Sequence, residues 1–365
     1  MKAKTYNNLQ LLGLMSGTSL DGLDIAHAAF DFSNPDQIGF QLLDCQTYAL
    51  PPDIFSKLSN IFDQTASNIF ELDHELARFY AVCIEQFLHD FKIDRKDISA
   101  IASHGQTIFH QPEKRYTTQI GSGLTLNYLT KIPVIDQFRQ LDVSAGGQGA
   151  PLVPLGDQLL FGGNADGFLN LGGFANISTS INDTSLAYDI CPANLPMNIW
   201  MQEIGQAYDK DGSMARSGQI NEEVLQQVLR LSYFQKNGPK SLGKEWLKMN
   251  YLPLFETCSL PDKLRTHLEL LQILCVQEFQ RLKLKSVYTT GGGAFNTFLV
   301  ELLKKGFHGE LIVPDAALIN YKEALIFAFL GARFLRNEST TIAAVTGAPH
   351  ALRTGVLHDF QSSIR

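Results

Sequence analysis

Cysteine is scarce in this chain of 365 residues. There are five, Cys45, Cys83, Cys191, Cys258 and Cys275, an odd number with no Cys-x-x-Cys spacing. That argues against a disulfide framework and against a zinc site built on paired cysteines. Long basic runs are absent, and 30 Lys and Arg against 37 Asp and Glu leave a net charge of −7. Nucleic acid and anionic membrane surfaces are therefore not the expected partners. No apolar window approaches the ~20 residues of a membrane span. The apolar stretch near the N-terminus is only about five residues long, too short for the core of a signal peptide. The expected location is the cytoplasm. Two nucleotide signatures are missing as well: Gly-x-x-x-x-Gly-Lys-Ser/Thr and Gly-x-Gly-x-x-Gly. This is neither a P-loop protein nor a dinucleotide-binding Rossmann domain.

What the chain does have is apolar substance, 45% hydrophobic against 18% charged residues, and a length that predicts two domains. Strands are expected at 9–15, 23–32 and 39–48, then helix within 52–91. A buried strand at 98–103 runs into His104-Gly105-Gln106-Thr107, and another at 132–135 leads to Phe138-Arg139 and a glycine loop at 144–151. After that loop the pattern restarts. Strands at 167–171, 175–181 and 185–189 are joined by turns at 172–173 and 182–183. Helices are expected near 194–208, 220–232, 261–281 and 296–305, with a strand at 286–290 and an apolar helix at 321–335. Similar units in both halves predict a pseudo-twofold α/β architecture with a cleft between two domains. The first domain is expected over 1–145 and the second over 146–320, with the C-terminal segment, about 321–365, packing back on the first.

Four glycine-rich loops follow apolar strands, where open α/β sheets bind ligands. The first, Gly17-Thr18-Ser19-Leu20-Asp21-Gly22-Leu23-Asp24, joins two strands and offers N–H groups and hydroxyls to an anion. Asp21 and Asp24 could hold a hydrated Mg²⁺ against that anion. An ordinary polar β-turn has the same composition. Gly291-Gly292-Gly293 reads either as a sharp strand-to-helix turn or as a close approach to a ligand. His104, Gln106 and Thr107 serve either to fix a loop or to contact a hydroxylated ligand. Asp189, at the tip of an expected strand, suits a general base and equally a turn or capping residue.

Taken together, these motifs resemble the anhydro-N-acetylmuramic acid kinase family, within the hexokinase–Hsp70–actin ATPase superfamily. The residues that carry the resemblance run through nearly the whole chain. They include Gly17 to Asp24, His104-Gly105-Gln106-Thr107-Ile108-Phe109-His110, Thr118-Gln119-Ile120-Gly121 and Ala145-Gly146-Gly147-Gln148-Gly149-Ala150-Pro151. Further on come Leu169-Asn170-Leu171-Gly172-Gly173-Phe174-Ala175-Asn176, Asp211-Gly212-Ser213, Gly291-Gly292-Gly293-Ala294-Phe295-Asn296 and Lys322-Glu323-Ala324. The resemblance implies a two-domain actin-like ATPase (ribonuclease H-like) fold with an interdomain cleft. It also implies ATP and Mg²⁺ as cofactors, an amino sugar as substrate, and a homodimer. The family opens the 1,6-anhydro bridge with water and phosphorylates O6, recycling cell-wall sugar. On this chain the Gly17–Asp24 turn and Gly172-Gly173, with Asn176, would hold phosphates, and Gly291 to Gly293 with Asn296 would approach the nucleoside. His104, Gln106, Thr107, Arg139 and Glu323 would contact sugar, Asp21 would hold the metal, and Asp189 would be the base.

Departures from the family pattern cluster near Asp189. The usual Asp-Thr-Gly-Pro-Gly-Asn is Asp189-Ile190-Cys191-Pro192-Ala193-Asn194 here, Asn198 replaces an acid, and Pro196 replaces an apolar residue. If the family's glycine needs positive φ, Cys191 is strained or the loop is reshaped. Pro196 fits only in the first turn of the next helix. Gln137 stands where an Asp usually precedes Phe-Arg, with Asp136 one residue earlier, and Leu242 replaces a Thr. An altered relative that binds nucleotide, and acts on another sugar or only as a binding protein, is the alternative reading.

Overall fold

The computed structural model describes residues 7–17, 20–34, 37–181 and 184–359. Thr18 and Ser19 of the first turn, and the turn residues Asn182 and Asp183, lie outside them. The chain divides into two compact units, one comprising Met1–Leu160 with Tyr321–Arg365 and the other Phe161–Asn320. The glycine loop at 144–151 belongs to the first unit rather than opening the second. The Asp142 carboxylate accepts the Gly149 N–H (2.7 Å) and the Thr346 hydroxyl (2.8 Å), while the Gln148 N–H donates to the Thr346 carbonyl (2.7 Å). These bonds tie the loop to the C-terminal segment.

Twelve strands are formed by the described residues: β1 (Asn8–Ser16), β2 (Leu23–Asp31), β3 (Gly39–Tyr48), β4 (Ala100–Gln111), β5 (Tyr116–Ile120), β6 (Val134–Asp136), β7 (Gly167–Leu171), β8 (Phe174–Ile181), β9 (Thr184–Pro192), β10 (Ser286–Thr290), β11 (Glu310–Ile312) and β12 (Val356–His358). The first unit's sheet has the order β12-β6-β4-β1-β2-β3, with β5 paired to β4. β1, β2 and β3 form an antiparallel meander, and β4 runs parallel to β1 and β6 to β4. The second sheet, β11-β10-β7-β8-β9, repeats this plan. β7 to β9 meander, β10 is parallel to β7, and β11 is parallel to β10. Two copies of a ribonuclease H-like unit account for the repeat seen in the sequence.

Each parallel step needs a helical crossover. In the first unit the helix Ala66–Asp90 supplies one. Thr65 caps it by accepting the Asn68 N–H, and Leu72, Leu76, Tyr80, Ile84 and Phe87 form its buried stripe. In the second, the helix Leu260–Arg281 is capped by Ser259 and buries Leu264, Leu268, Leu271, Cys275 and Phe279. Fully burying an aliphatic or aromatic side chain of this size contributes about 1.5–3 kcal/mol. The helix Ala316–Leu335 carries Glu323 and lies so close to β1 that a Cβ on Gly13 would stand 1.8 Å from the Ala324 carbonyl oxygen.

Candidate active site

In both units the hairpin turn after the first meander strand sits at the same topological position, Gly17–Gly22 after β1 and Gly172-Gly173 after β7. In the first, the Leu20 N–H closes back on the Gly17 carbonyl at 3.1 Å. Gln106 holds the base of this turn: its Oε1 accepts the buried Ser16 hydroxyl at 2.6 Å and its Nε2 donates to the Gly17 carbonyl at 3.2 Å. Here the structure corrects the expected strand end. β4 does not stop at Ser103 but continues to Gln111, its second half zipped to β5 with Gln106 opposite Ile120 and Thr107 opposite Gln119. His104, Gln106 and Thr107 are strand residues.

His104 is buried and its tautomer follows from its partners. Nδ1–H donates to the Gly105 carbonyl at 2.8 Å, and Nε2 accepts from Nε of Arg139 at 3.0 Å. Burial, with the Arg139 charge beside it, pushes its pKa down to about 3. Arg139 also donates from Nη1 to the Gly149 carbonyl at 2.7 Å, which leaves Nη2 uncommitted among the described residues. Burial lowers its pKa to about 10, opposed by the Glu323 carboxylate. Thr107 accepts from the Gln119 amide at 3.2 Å. Thus Gln106 and His104 spend their polar atoms inside the fold, and Thr107, Arg139 and Glu323 keep capacity for a ligand. Gln137 takes a left-handed φ of 56°. Its neighbour Asp136 is engaged within the fold, its Oδ2 accepting the Gly123 N–H (3.1 Å) and its Oδ1 bonded to His358 Nε2 (2.9 Å).

Carboxylates gather on this side of the first unit. Asp24 accepts the Thr47 hydroxyl at 2.6 Å, with the Tyr321 hydroxyl 3.2 Å from the same Thr47 oxygen. Its pKa is raised by burial and by Asp21, against the Thr47 bond. Glu323 reaches solvent from the helix Ala316–Leu335. Desolvation raises its pKa, Lys322 and Arg139 oppose the rise, and Asp24 and Asp157 add to it. Lys322 itself is buried in an ion pair with Asp157 at 3.1 Å. Among the described residues no three His, Cys, Asp or Glu side chains are grouped to enclose a metal. The donors present, the exposed Asp21 and the half-buried Asp24, suit a hydrated Mg²⁺, which needs one or two carboxylates and keeps its waters.

In the second unit the Gly172-Gly173 turn is locked to the following helix. Ala193 and Leu195 donate to the Gly173 carbonyl (2.9 and 3.2 Å) and Asn194 to that of Gly172 (3.0 Å). β9 was expected to end at Asp189, but it continues to Pro192. Asn176 pairs with Asp189 and Ala175 with Cys191, so Ile190 is an extra residue, a β-bulge beside the candidate base. Bulges re-aim neighbouring side chains. Ile190 and Cys191 are both buried in the core. Cys191 is extended, so the expected strain is absent. Pro196 lies in the first turn of the helix Asn194–Gln202, where no helical N–H is required of it.

Asp189 is half-buried. Its Oδ2 accepts the Leu242 N–H at 2.9 Å, and Oδ1 has no partner among the described residues. Burial raises its pKa and the Leu242 N–H restrains the rise. Its backbone N–H donates to the Lys240 carbonyl (3.0 Å), and its carbonyl accepts the Tyr233 hydroxyl (2.8 Å).

A cavity of about 530 Å³ opens beside the Gly291–Gly293 turn. Gly291 has φ of 83°, and a Cβ there would meet the Asn170 side chain at 2.5 Å. Asn194, Asn198 and Asn296 offer amides to this cavity, and Tyr208 and Phe295 offer partly exposed rings. Asn296 also caps the helix Thr297–Gly306, its Oδ1 accepting the Leu299 N–H at 3.0 Å, so its NH₂ is the end left for a ligand. Sequence reasoning placed Asn198 in the catalytic loop and did not single out Tyr208 or Phe295. The Asn198 substitution thus bears on this cavity, and no hydrogen bond links it to Asp189.

The sequence profile of the anhydro-N-acetylmuramic acid kinase family matches residues 9–359. A relative named anhydro-N-acetylmuramic acid kinase, from Vibrio vulnificus strain CMCP6, is 35% identical over 366 residues, covering 95% of this chain and 97% of its own. Another of that name, from Shewanella loihica, is 37% identical over 355 residues, covering 92% and 95%. Among solved structures, the activator of the 2-hydroxyisocaproyl-CoA dehydratase from Clostridium difficile with bound ADPNP is 14% identical. It covers 92% of this chain and 99% of that one at a TM-score of 0.41.

Proposed function

The chain belongs to the anhydro-N-acetylmuramic acid kinase family, and from that premise we propose that it opens 1,6-anhydro-N-acetylmuramic acid with water and phosphorylates O6 at the expense of ATP. The observation that carries the reading is Asp189: a half-buried carboxylate with raised proton affinity, one oxygen held and one free, set beside a bulge. A base of that kind takes a proton from water as the water oxygen bonds to C1. The C1–O6 bond breaks, and its electron pair leaves O6 nucleophilic. O6 then bonds to the γ-phosphorus as the bond to the ADP oxygen breaks. The proton on Asp189 returns to solvent, so the products are N-acetylmuramic acid 6-phosphate, ADP and one proton. Such transfer depends mainly on positioning and charge neutralisation.

The remaining residues fall into roles by what their atoms leave free. Thr107, Arg139 and Glu323 contact the sugar, while His104 and Gln106 hold Arg139 and the first turn in place. Each hairpin turn, taken in its own unit, is of the glycine-rich kind that offers backbone N–H groups to a phosphate. The cavity beside Gly292 and Gly293 takes the nucleoside, its rings stacking on the base. Asp21 and Asp24 would hold a hydrated Mg²⁺, which when bound screens phosphate charge. No helix among the described residues is long and apolar enough to cross a membrane. A cytoplasmic homodimer completes the reading.

The test is ADP release by the purified protein with Mg-ATP, with and without the anhydro sugar. Sugar-dependent release that falls by about 10²-fold or more in Asp189→Asn is the expected result. Undiminished turnover in that variant removes the role given to Asp189.

A further inference from the structure

Among the described residues, the hydrogen bonds that reach Asp189 from outside its own sheet come from one segment, 233–243, between the helices Glu222–Leu229 and Lys244–Trp246. The segment grips three polar groups of a single residue: the backbone N–H through the Lys240 carbonyl, the backbone carbonyl through the Tyr233 hydroxyl, and Oδ2 through the Leu242 N–H. It is also closed upon itself. Lys240 Nζ donates to the carbonyls of Lys236 (2.9 Å) and Tyr233 (3.3 Å) and sits 4.7 Å from the centre of the Tyr233 ring. Tyr233 is anchored in turn, its ring against Trp246 at 5.3 Å and Phe234 at 5.5 Å.

We propose that this segment is a strap that positions the base, holding Oδ2 of Asp189 so that Oδ1 is the oxygen that accepts the proton from water, with Tyr233 and Lys240 as its positioning residues. The inference rests on the reading of Asp189 as the base and deepens it. A carboxylate can accept through either oxygen, and a freely turning one presents the wrong geometry part of the time. Tying one oxygen to a backbone N–H removes that freedom. The bulge at Ile190 interrupts the regular β8–β9 pairing next to Asp189, and the strap supplies partners to its N–H and carbonyl there.

The strap also bears on proton affinity. Charged and titratable groups act on the strap's Tyr233 and Lys240 from the neighbouring elements: Asp189 and Cys191 on β9, and Glu278 and Arg281 on the helix Leu260–Arg281. Asn176, opposite on β8, is uncharged. The Leu242 N–H is the group that favours the ionised carboxylate against burial. Loosening the strap therefore raises the pKa of Asp189, and the acid limb of the rate profile moves to higher pH.

Two variants and one control test this. Tyr233→Phe keeps the ring packing and deletes the hydroxyl; Lys240→Gln removes the staple at a half-exposed site; Lys240→Arg retains donors and cation. The expected result is a fall in kcat of roughly tenfold for the first two, an unchanged KM for ATP, an acid limb shifted upward, and partial recovery at high pH. Lys240→Arg should stay at wild-type behaviour. A role in folding alone would lower activity equally at every pH, and that result overturns the proposal. Carbon-13 NMR of the Asp189 carboxyl reads the strap without turnover: its titration should move upward in both variants, and an unmoved titration also overturns the proposal. Turnover surviving in Asp189→Asn instead overturns the underlying reading, which keeps the two failures apart.

Discussion

Gly13 offers the sharpest test of how the fold supports Glu323. A Cβ added there would lie 1.8 Å from the Ala324 carbonyl oxygen and 2.8 Å from the Ala324 carbonyl carbon and the Ala328 nitrogen. Every one of those atoms is backbone, so no side chain can swing aside. To bring the closest contact to a tolerable 3.0 Å, strand and helix must separate by about 1.2 Å or more. Overpacking that side chains can absorb costs about 1–3 kcal/mol, and this one, against backbone, belongs at the upper end, about 3 kcal/mol. For a unit of this size 1 kcal/mol moves the melting temperature by about 2–4 °C, so Gly13→Ala should melt roughly 6–12 °C lower. Glu323 precedes the clashing residue, and a displacement of about 1 Å can cost 10²-fold in rate. The expected loss in sugar-dependent kcat/KM is therefore of that order. Calorimetry and ADP release read the two effects. Gly163→Ala is the control, because a Cβ there meets nothing within 4 Å. A Gly13→Ala protein melting within a degree of wild type, like the control, would refute the packing account.

Two further outcomes follow from the electrostatics. Burial, with Asp24 and Asp157, holds the Glu323 carboxyl above its usual range against Lys322 and Arg139. Its contribution to stability is thus complete below the unfolded-state pKa and is lost as pH rises through the folded value. Glu323→Gln should therefore melt higher than wild type near pH 7.5, with the gap closing toward about pH 4, while sugar turnover falls; melting curves across that range that stay parallel would contradict it. His104, with its pKa near 3, should show one neutral tautomer, protonated at Nδ1, in nitrogen-15 NMR spectra from about pH 5 to 8. A titration inside that window would mean that Arg139 does not donate to Nε2.

Much of the architecture was legible because it is repetitive. Two alternating meanders, each broken by a glycine turn and followed by a long apolar stripe, specify the same strand order twice, and β1 to β3 and β7 to β10 fall close to where their patterns place them. The exceptions are the C-terminal ends of two strands, β4 and β9. β4 was read as ending at Ser103 because His104, Gln106 and Thr107 look like loop residues. They remain in a strand because Ser16, Gly17, Arg139 and Gln119 satisfy their side chains. β9 was read as ending at Asp189, since nothing in Ile190-Cys191 announces that a bulge will bury both.

The candidate site divides along a similar line. Side chains proposed to act by their own chemistry, Asp189, Asp24, Arg139 and Glu323, are visible as residue types at motif positions. The strap is not, because two of its three holds on Asp189 come from the backbone of Lys240 and Leu242, and any residue but proline at 242 supplies that N–H. This has a consequence for the departures from the family pattern. Leu242 stands where the family has a hydroxyl, but what Asp189 receives from position 242 is the amide proton. Ile190 and Cys191 replace a hydroxyl and a glycine, but they extend the strand and fill the core, and among the described residues neither side chain hydrogen-bonds the Asp189 carboxylate. A substitution next to a catalytic carboxylate matters through the atoms it presents to that carboxylate. Here the atoms that hold Asp189 belong to the main chain and to the Tyr233 hydroxyl, and the changed side chains contribute none of them.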